Sequence, residues 1–295
     1  MPTGTVVTRG YLAPRIVDGV RGRVRATFDH CAYVAVDGGP ALVLHASGRD
    51  HTPTSLCPAS WPPPASAVAV GDAVVGRAGH LKVGALVLDV RGAREWRPGA
   101  APRRLDAGSL RCPAPSPGQR RVASVSAPAA VDLDHRLALR EADLRTCGQV
   151  PVLERALARR DGDRVAGCVA SLVGRGPGLT PSGDDALVGL LAVLHRLAPA
   201  GDASRAMLCP AVAAVAHRTG DISAHYLRLA IVGHLGERLV ALCDALACGA
   251  RDEIDAAAAA VVATGATSGA YALLGVLSGV RLVAATLARD RPVAA

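Results

Sequence analysis

Along residues 20–90, apolar and polar positions alternate in short runs broken by turn residues, the period-two pattern of strands buried on one face. The runs 32–36 and 41–45 flank Asp37-Gly38-Gly39-Pro40, a hairpin connection. The runs 67–75 and 85–90 continue the series around Gly71, Gly76, Gly79 and Gly84, and strands at this spacing predict a small barrel or sandwich. Periodicity is then lost between Pro98 and Ala130, where Pro, Ala, Ser and Arg dominate as in a linker. After Val131 the apolar residues recur three and four apart, predicting helices over 133–144, 151–160, 164–173, 184–197, 203–218, 223–232, 235–248, 252–264 and 269–288. The expected class is α+β, with an N-terminal β-barrel-like or sandwich domain and its linker over residues 1–125 and an all-helical C-terminal domain over 126–295.

Residues 256–280 carry no charge and are long enough to span a bilayer, for which roughly 20 apolar residues suffice. Gly265-Ala266-Thr267-Ser268-Gly269 interrupts them with residues that stop one helix and cap the next, so two helices and no membrane span are expected. Half of the 295 residues are apolar, yet the chain holds one Phe, two Trp and four Tyr, so the core must be built from Ala, Val and Leu. The formal charge of +8 raises the question of nucleic acid. It comes from scattered arginines, the nearest to a patch being Arg103, Arg104, Arg120 and Arg121, with no aromatic residue among them to stack on bases, and no nucleic-acid partner is expected. Lys82 is the single lysine, which argues against a P-loop ATPase and a Schiff-base enzyme. The eight cysteines lack Cys-x-x-Cys spacing and read as core residues or free thiols, and residues 1–10 lack the apolar run of a secretory signal, so a cytoplasmic location is expected.

Candidate chemistry concentrates in Gly174-Arg175-Gly176-Pro177-Gly178-Leu179-Thr180-Pro181-Ser182-Gly183-Asp184-Asp185. Thr180 can cap a helix whose first residue is Pro181, where a missing N–H costs nothing. The N–H groups of Ser182, Gly183 and Asp184 would then point out of a positive helix terminus, and with Gly176 and Gly178 they make a cradle for phosphate or carboxylate. Asp184 falls on the apolar stripe of Leu187, Leu190, Leu191 and Leu194, so its carboxylate faces inward and needs backbone N–H donors, an Arg, or a divalent ion; it is the candidate for magnesium. Asp185 lies in line with Gly189 and Ala192, a small-residue face suited to close approach of another helix. Pro177 and the lack of alternating strands rule out a dinucleotide fingerprint.

Thr267-Ser268-Gly269 opens a second helix in the same manner, and the two starts can converge on one ligand. His217, Asp221 and His225 stand four apart, but Gly220 and the cap-like Ser223 predict a helix break between them. His195, His234 and the cysteines have no second metal ligand at useful spacing and read as structural, and spacing alone names no catalytic residue.

The run Gly176 to Asp185, followed by Leu187-Val188-Gly189, resembles the AllH family of oxamate carbamoyltransferase subunits. The resemblance extends to Thr219, Ile222-Ser223, Leu227-Arg228-Leu229-Ala230, Gly233, Glu237, Gly265, Thr267-Ser268-Gly269 and Gly275, and to the order of a β-rich half before a helical half. It implies a subunit of a multi-subunit complex that interconverts oxalurate plus phosphate with oxamate plus carbamoyl phosphate in purine and allantoin breakdown. The expected partners are the other subunits and a small anionic substrate held by Gly176, Gly178, Thr180, Ser182, Gly183, Asp184 and Asp185, with Thr267 and Ser268 as further contacts; a homo-oligomer is left open. The rival reading is a non-catalytic scaffold or regulatory module whose loop is purely structural.

Overall fold

The computed structural model describes residues 3–14, 17–48, 50–61, 67–101 and 144–289, with side chains from Gly148 onward in the last segment. They divide into two compact units, one of residues up to 99 with Leu235–Glu237, the other of the remaining described residues. The expected helix over 133–144, the boundary at 125/126 and the four linker arginines lie outside the described residues, apart from Leu144 itself.

The first unit is a barrel of eight strands with a ninth at its side. The strands are β1 Thr3–Gly10, β2 Arg21–Phe28, β3 Cys31–Val36, β4 Leu42–His45, β5 Ser55–Pro58, β6 Ala73–Arg77, β7 His80–Val83, β8 Leu86–Asp89 and β9 Arg94–Trp96. Their order is β5-β4-β3-β2-β6-β7-β8-β1-β9, and a β5–β1 pairing closes the barrel, leaving β9 on β1. In β2 the side chains of Arg21, Arg23 and Arg25 face out while Val24 and Ala26 face in. Such alternation fills the interior with Val24, Val34, Leu44, Leu56, Leu81 and Leu88, all buried.

The hairpin at Asp37–Pro40 joins β3 to β4 antiparallel as expected. The run expected as one strand over 67–75 is shorter: Ala67 and Val68 are buried in the core, but the ladder begins at Ala73. Strands β1 and β9 lie outside the stretch expected to hold strands, β2, β5 and β7 lie within it but outside the four expected runs, and three pairings, β1–β8, β1–β9 and β4–β5, are parallel.

The second unit holds eight α-helices among the described residues: α1 Leu144–Ala158, α2 Gly162–Leu172, α3 Ser182–Arg196, α4 Ala203–Val215, α5 Asp221–Ile231, α6 Glu237–Cys248, α7 Arg251–Val262 and α8 Ser268–Arg289. A 3₁₀ turn, Ala216–Arg218, and the cap residue Gly220 separate α4 from α5, so the expected break falls between His217 and Asp221. The uncharged stretch is divided as expected between α7 and α8. By length and composition α8 could cross a membrane, and it packs along α3.

That packing depends on glycine. A Cβ at Gly189 would overlap the carbonyl oxygen of Ala272, and one at Gly275 would overlap that of Ala186. The backbones of α3 and α8 therefore approach more closely than larger residues allow. The apolar stripe of α3, with Leu187, Leu190, Leu191 and Leu194, is fully buried.

Candidate functional site

The glycine-rich loop connects α2 to α3, and three of its glycines have positive φ. Gly176, at φ 108°, lies against the nitrogen and hydroxyl of Ser182, so a side chain there would be strained and would collide with the helix start. Gly178 is exposed with open space around it, Gly176 and Thr180 are half-buried, and Ser182, Gly183 and Asp184 are buried.

The helix start differs from the expected cap. Pro181 occupies the cap position, and its carbonyl accepts from the N–H groups of Asp184 (2.9 Å) and Asp185 (3.1 Å). Gly183 N–H donates to the carbonyl of Arg175 (3.0 Å), and a Cβ at Gly183 would overlap the carbonyl of Leu172. Two of the three amides expected to cradle an anion are thus engaged within the fold. Pro181 takes the cap position, and the Thr180 hydroxyl lies instead 2.8 Å from that of Ser268, the first residue of α8.

Asp184 is 1 % exposed and faces inward, as its place on the apolar stripe requires. Its Oδ1 accepts from Gly174 N–H at 2.9 Å. Its Oδ2 accepts from the hydroxyls of Thr219 (2.5 Å) and Ser223 (2.7 Å). Three donors from three places in the chain satisfy a buried carboxylate and tie the loop to the 3₁₀ turn and to α5.

Asp185 has a different environment. The Thr180 and Ser268 hydroxyls, 2.8 Å apart, lie beside its carboxyl and favour its charged form. Its Oδ2 is nevertheless buried and has no partner among the described residues. Burial, opposed by these two hydroxyls and reinforced by the neighbouring charge of Asp184, pushes its pKa up to about 7. Near neutrality it therefore exists in large part as a neutral carboxyl, able to donate a hydrogen bond where a carboxylate would repel an anion. Of the second helix start, Ser268 joins this cluster, whereas Thr267 is exposed and its carbonyl accepts from the N–H groups of Ala270 and Tyr271. Thr180, Asp185 and Ser268 thus form a polar clasp where the starts of α3 and α8 meet.

A family model described as oxamate carbamoyltransferase subunit AllH matches residues 172–280. The match runs from the last residue of α2 into α8 and takes in the loop, Asp184 with its donors, and the clasp. Residues 172–280 are similar to the AllH family. No curated protein and no solved structure matches the chain. The family description names a subunit, which implies a complex of several chains and a role connected with carbamoyl transfer.

Sequence spacing missed a further cluster in the barrel. His45, His51 and Cys57 bring their ligand atoms within 4.8 Å of one another. They recur six residues apart, a spacing that matches no helix face and no zinc-finger pattern. Only the strand register reveals the meeting. Val43 stands opposite Ser55 and Leu44 opposite Leu56, so the next step along parallel β4 and β5 sets His45 beside Cys57.

Proposed function

We propose that the chain is a subunit of an oxamate carbamoyltransferase-type complex, and that its loop and clasp bind the anionic group of a substrate. The observation that carries the reading is the Oδ2 atom of Asp185, a buried polar atom without a partner beside two hydroxyls. A polar group left unsatisfied in this way costs free energy on the order of 1–3 kcal/mol, which a ligand can recover. Phosphate, carbamoyl phosphate and oxamate all offer acceptor oxygens. A neutral Asp185 would donate to one of them, and the Thr180 and Ser268 hydroxyls would rotate toward others.

Gly176 and Gly178 serve this reading by leaving the mouth of the loop free of side chains, and Ser182 and Gly183 by fixing the turn beneath it. Asp184 acts as the brace of the loop; a magnesium ion there would have to share oxygens that already accept three hydrogen bonds. Thr267 lies at the rim. In the direction that consumes oxalurate, a phosphate oxygen bonds to the carbamoyl carbon, the bond from that carbon to the oxamate nitrogen breaks, and that nitrogen takes a proton. Holding phosphate by neutral donors favours this attack through position and through stabilisation of the developing oxyanion.

The test is phosphorolysis of oxalurate by the complex reconstituted with its partner subunits. Replacing this chain by Thr180→Val or Ser268→Ala should lower kcat/KM for phosphate by about tenfold, the loss of roughly 1.4 kcal/mol that one such hydrogen bond supplies. The scaffold reading draws on the three protein donors of Asp184, and it predicts unchanged kinetics in every folded variant of the clasp.

A further inference from the structure

We propose that His45, His51 and Cys57 form a zinc(II) site in the barrel, with three protein ligands and a fourth position left to water or a small exogenous ligand. The site is separate from the loop and from the AllH match, which begins at residue 172.

The distances are those of a coordination sphere. Cys57 Sγ lies 3.4 Å from His45 Nε2 and 3.3 Å from His51 Nδ1. Tetrahedral zinc, with bonds of about 2.3 Å to sulfur and about 2.05 Å to nitrogen, holds such atoms about 3.6 Å apart. All three ligand atoms lie within 4.8 Å of one another, so an ion between them draws the two imidazoles inward. A thiol has one proton to share, so it can donate to only one of two imidazoles, whereas a thiolate on a cation satisfies the arrangement at once.

The surroundings fix the ligands as metal sites require. His45 Nδ1 lies 3.0 Å from the carbonyl of Ala46 and 3.7 Å from the Cys57 sulfur, so an N–H there donates to the carbonyl and leaves Nε2 as the ligand atom, which a turn of the ring brings onto the ion. The His51 ring stacks on Trp96, with centroids 5.5 Å apart and planes at 25°. The Thr8 side chain hydrogen-bonds to the Cys57 sulfur from β1, the strand that pairs with β5 across the closure. His45 and Cys57 are buried and His51 is half-buried, so an ion would be sheltered yet reachable from the His51 side. One thiolate and two imidazoles are a borderline-soft donor set, which selects zinc over magnesium or calcium.

The experiment is metal analysis of the full chain after saturation with zinc and gel filtration, followed by competition against a chromogenic chelator. Cobalt(II) substitution supplies the spectroscopic readout. One zinc per chain is expected, together with a thiolate-to-cobalt charge-transfer band. His51→Gln should weaken zinc at least tenfold with the circular dichroism spectrum unchanged, since even residues behind the ligands of a zinc site are worth about 10–100-fold in affinity. Cys57→Ser should abolish the charge-transfer band, and Cys248→Ser, which alters an exposed thiol outside the barrel, should change nothing. Should Cys57→Ser fail to fold, the half-buried His51 variant still decides the question. Less than half an equivalent of zinc after saturation, no thiolate band with cobalt, or equal affinity in folded His51→Gln would overturn the proposal.

Discussion

The burial of Asp185 turns into a stability difference that can be measured against pH. Its folded pKa stands at about 7 against an ordinary value of 3.8, because desolvation outweighs the hydroxyls of Ser268 and Thr180. A carboxyl with a raised pKa holds its proton more tightly in the folded state. Its contribution is therefore fully present below the ordinary value and is lost as pH rises through about 7. Three pKa units at about 1.4 kcal/mol each come to about 4 kcal/mol across that window. Asp185→Asn keeps the shape and removes the titration. The gap in stability between variant and wild type should widen in favour of the variant by about 4 kcal/mol between pH 4 and pH 8. For a unit of this size that is a relative shift of roughly 8–16 °C in Tm. The assay is thermal and urea unfolding followed by circular dichroism at half-unit pH steps, in buffers free of phosphate. Parallel curves for the two proteins would refute the reasoning, since a carboxyl with an ordinary pKa adds no slope between pH 5 and 8.

Other outcomes follow from the same geometry. His225, whose pKa burial and the nearby Arg228 lower to about 4, contributes stability that is present above pH 6.5 and lost as pH falls toward 4; His225→Gln should flatten unfolding curves over that acid window and leave them unchanged at pH 8. Asp184→Ala removes the acceptor of three hydrogen bonds, one of them from the buried Ser223, and should destabilise the helical unit by about 3–5 kcal/mol, read as a lower urea midpoint at neutral pH. Gly275→Ala places a methyl group against the Ala186 carbonyl and should cost about 1–3 kcal/mol in the same assay, while Gly178→Ala should strain the loop backbone without disturbing the α3–α8 contact.

The helices were legible because each buries a stripe that sequence periodicity exposes. In α3, Leu187, Leu190, Leu191 and Leu194 announce the buried face, and Asp184, three residues before Leu187, had to share it. The small face of Gly189 and Ala192 likewise announced a close neighbour, which is α8. What spacing does not carry is which distant residue arrives. The donors to Asp184 come from positions 174, 219 and 223, and Ser268 reaches Thr180 across 88 residues. The cap expected of Thr180 failed for the same reason, since a local preference was outweighed by a partner from α8. Parallel pairings were invisible in the barrel, because a crossover leaves no turn signature of the kind that marked Asp37–Pro40. The cluster of His45, His51 and Cys57 was hidden with them.

Titration calorimetry of the full chain with phosphate, carbamoyl phosphate and oxamate, with and without magnesium, tests the central claim most directly when wild type is compared with Thr180→Val and Ser268→Ala. The account predicts saturable binding of at least one anion, weakened about tenfold in each folded variant, tighter below pH 7 than above it, and insensitive to magnesium. Absence of binding by all three anions, or affinity unchanged in both variants, would contradict it.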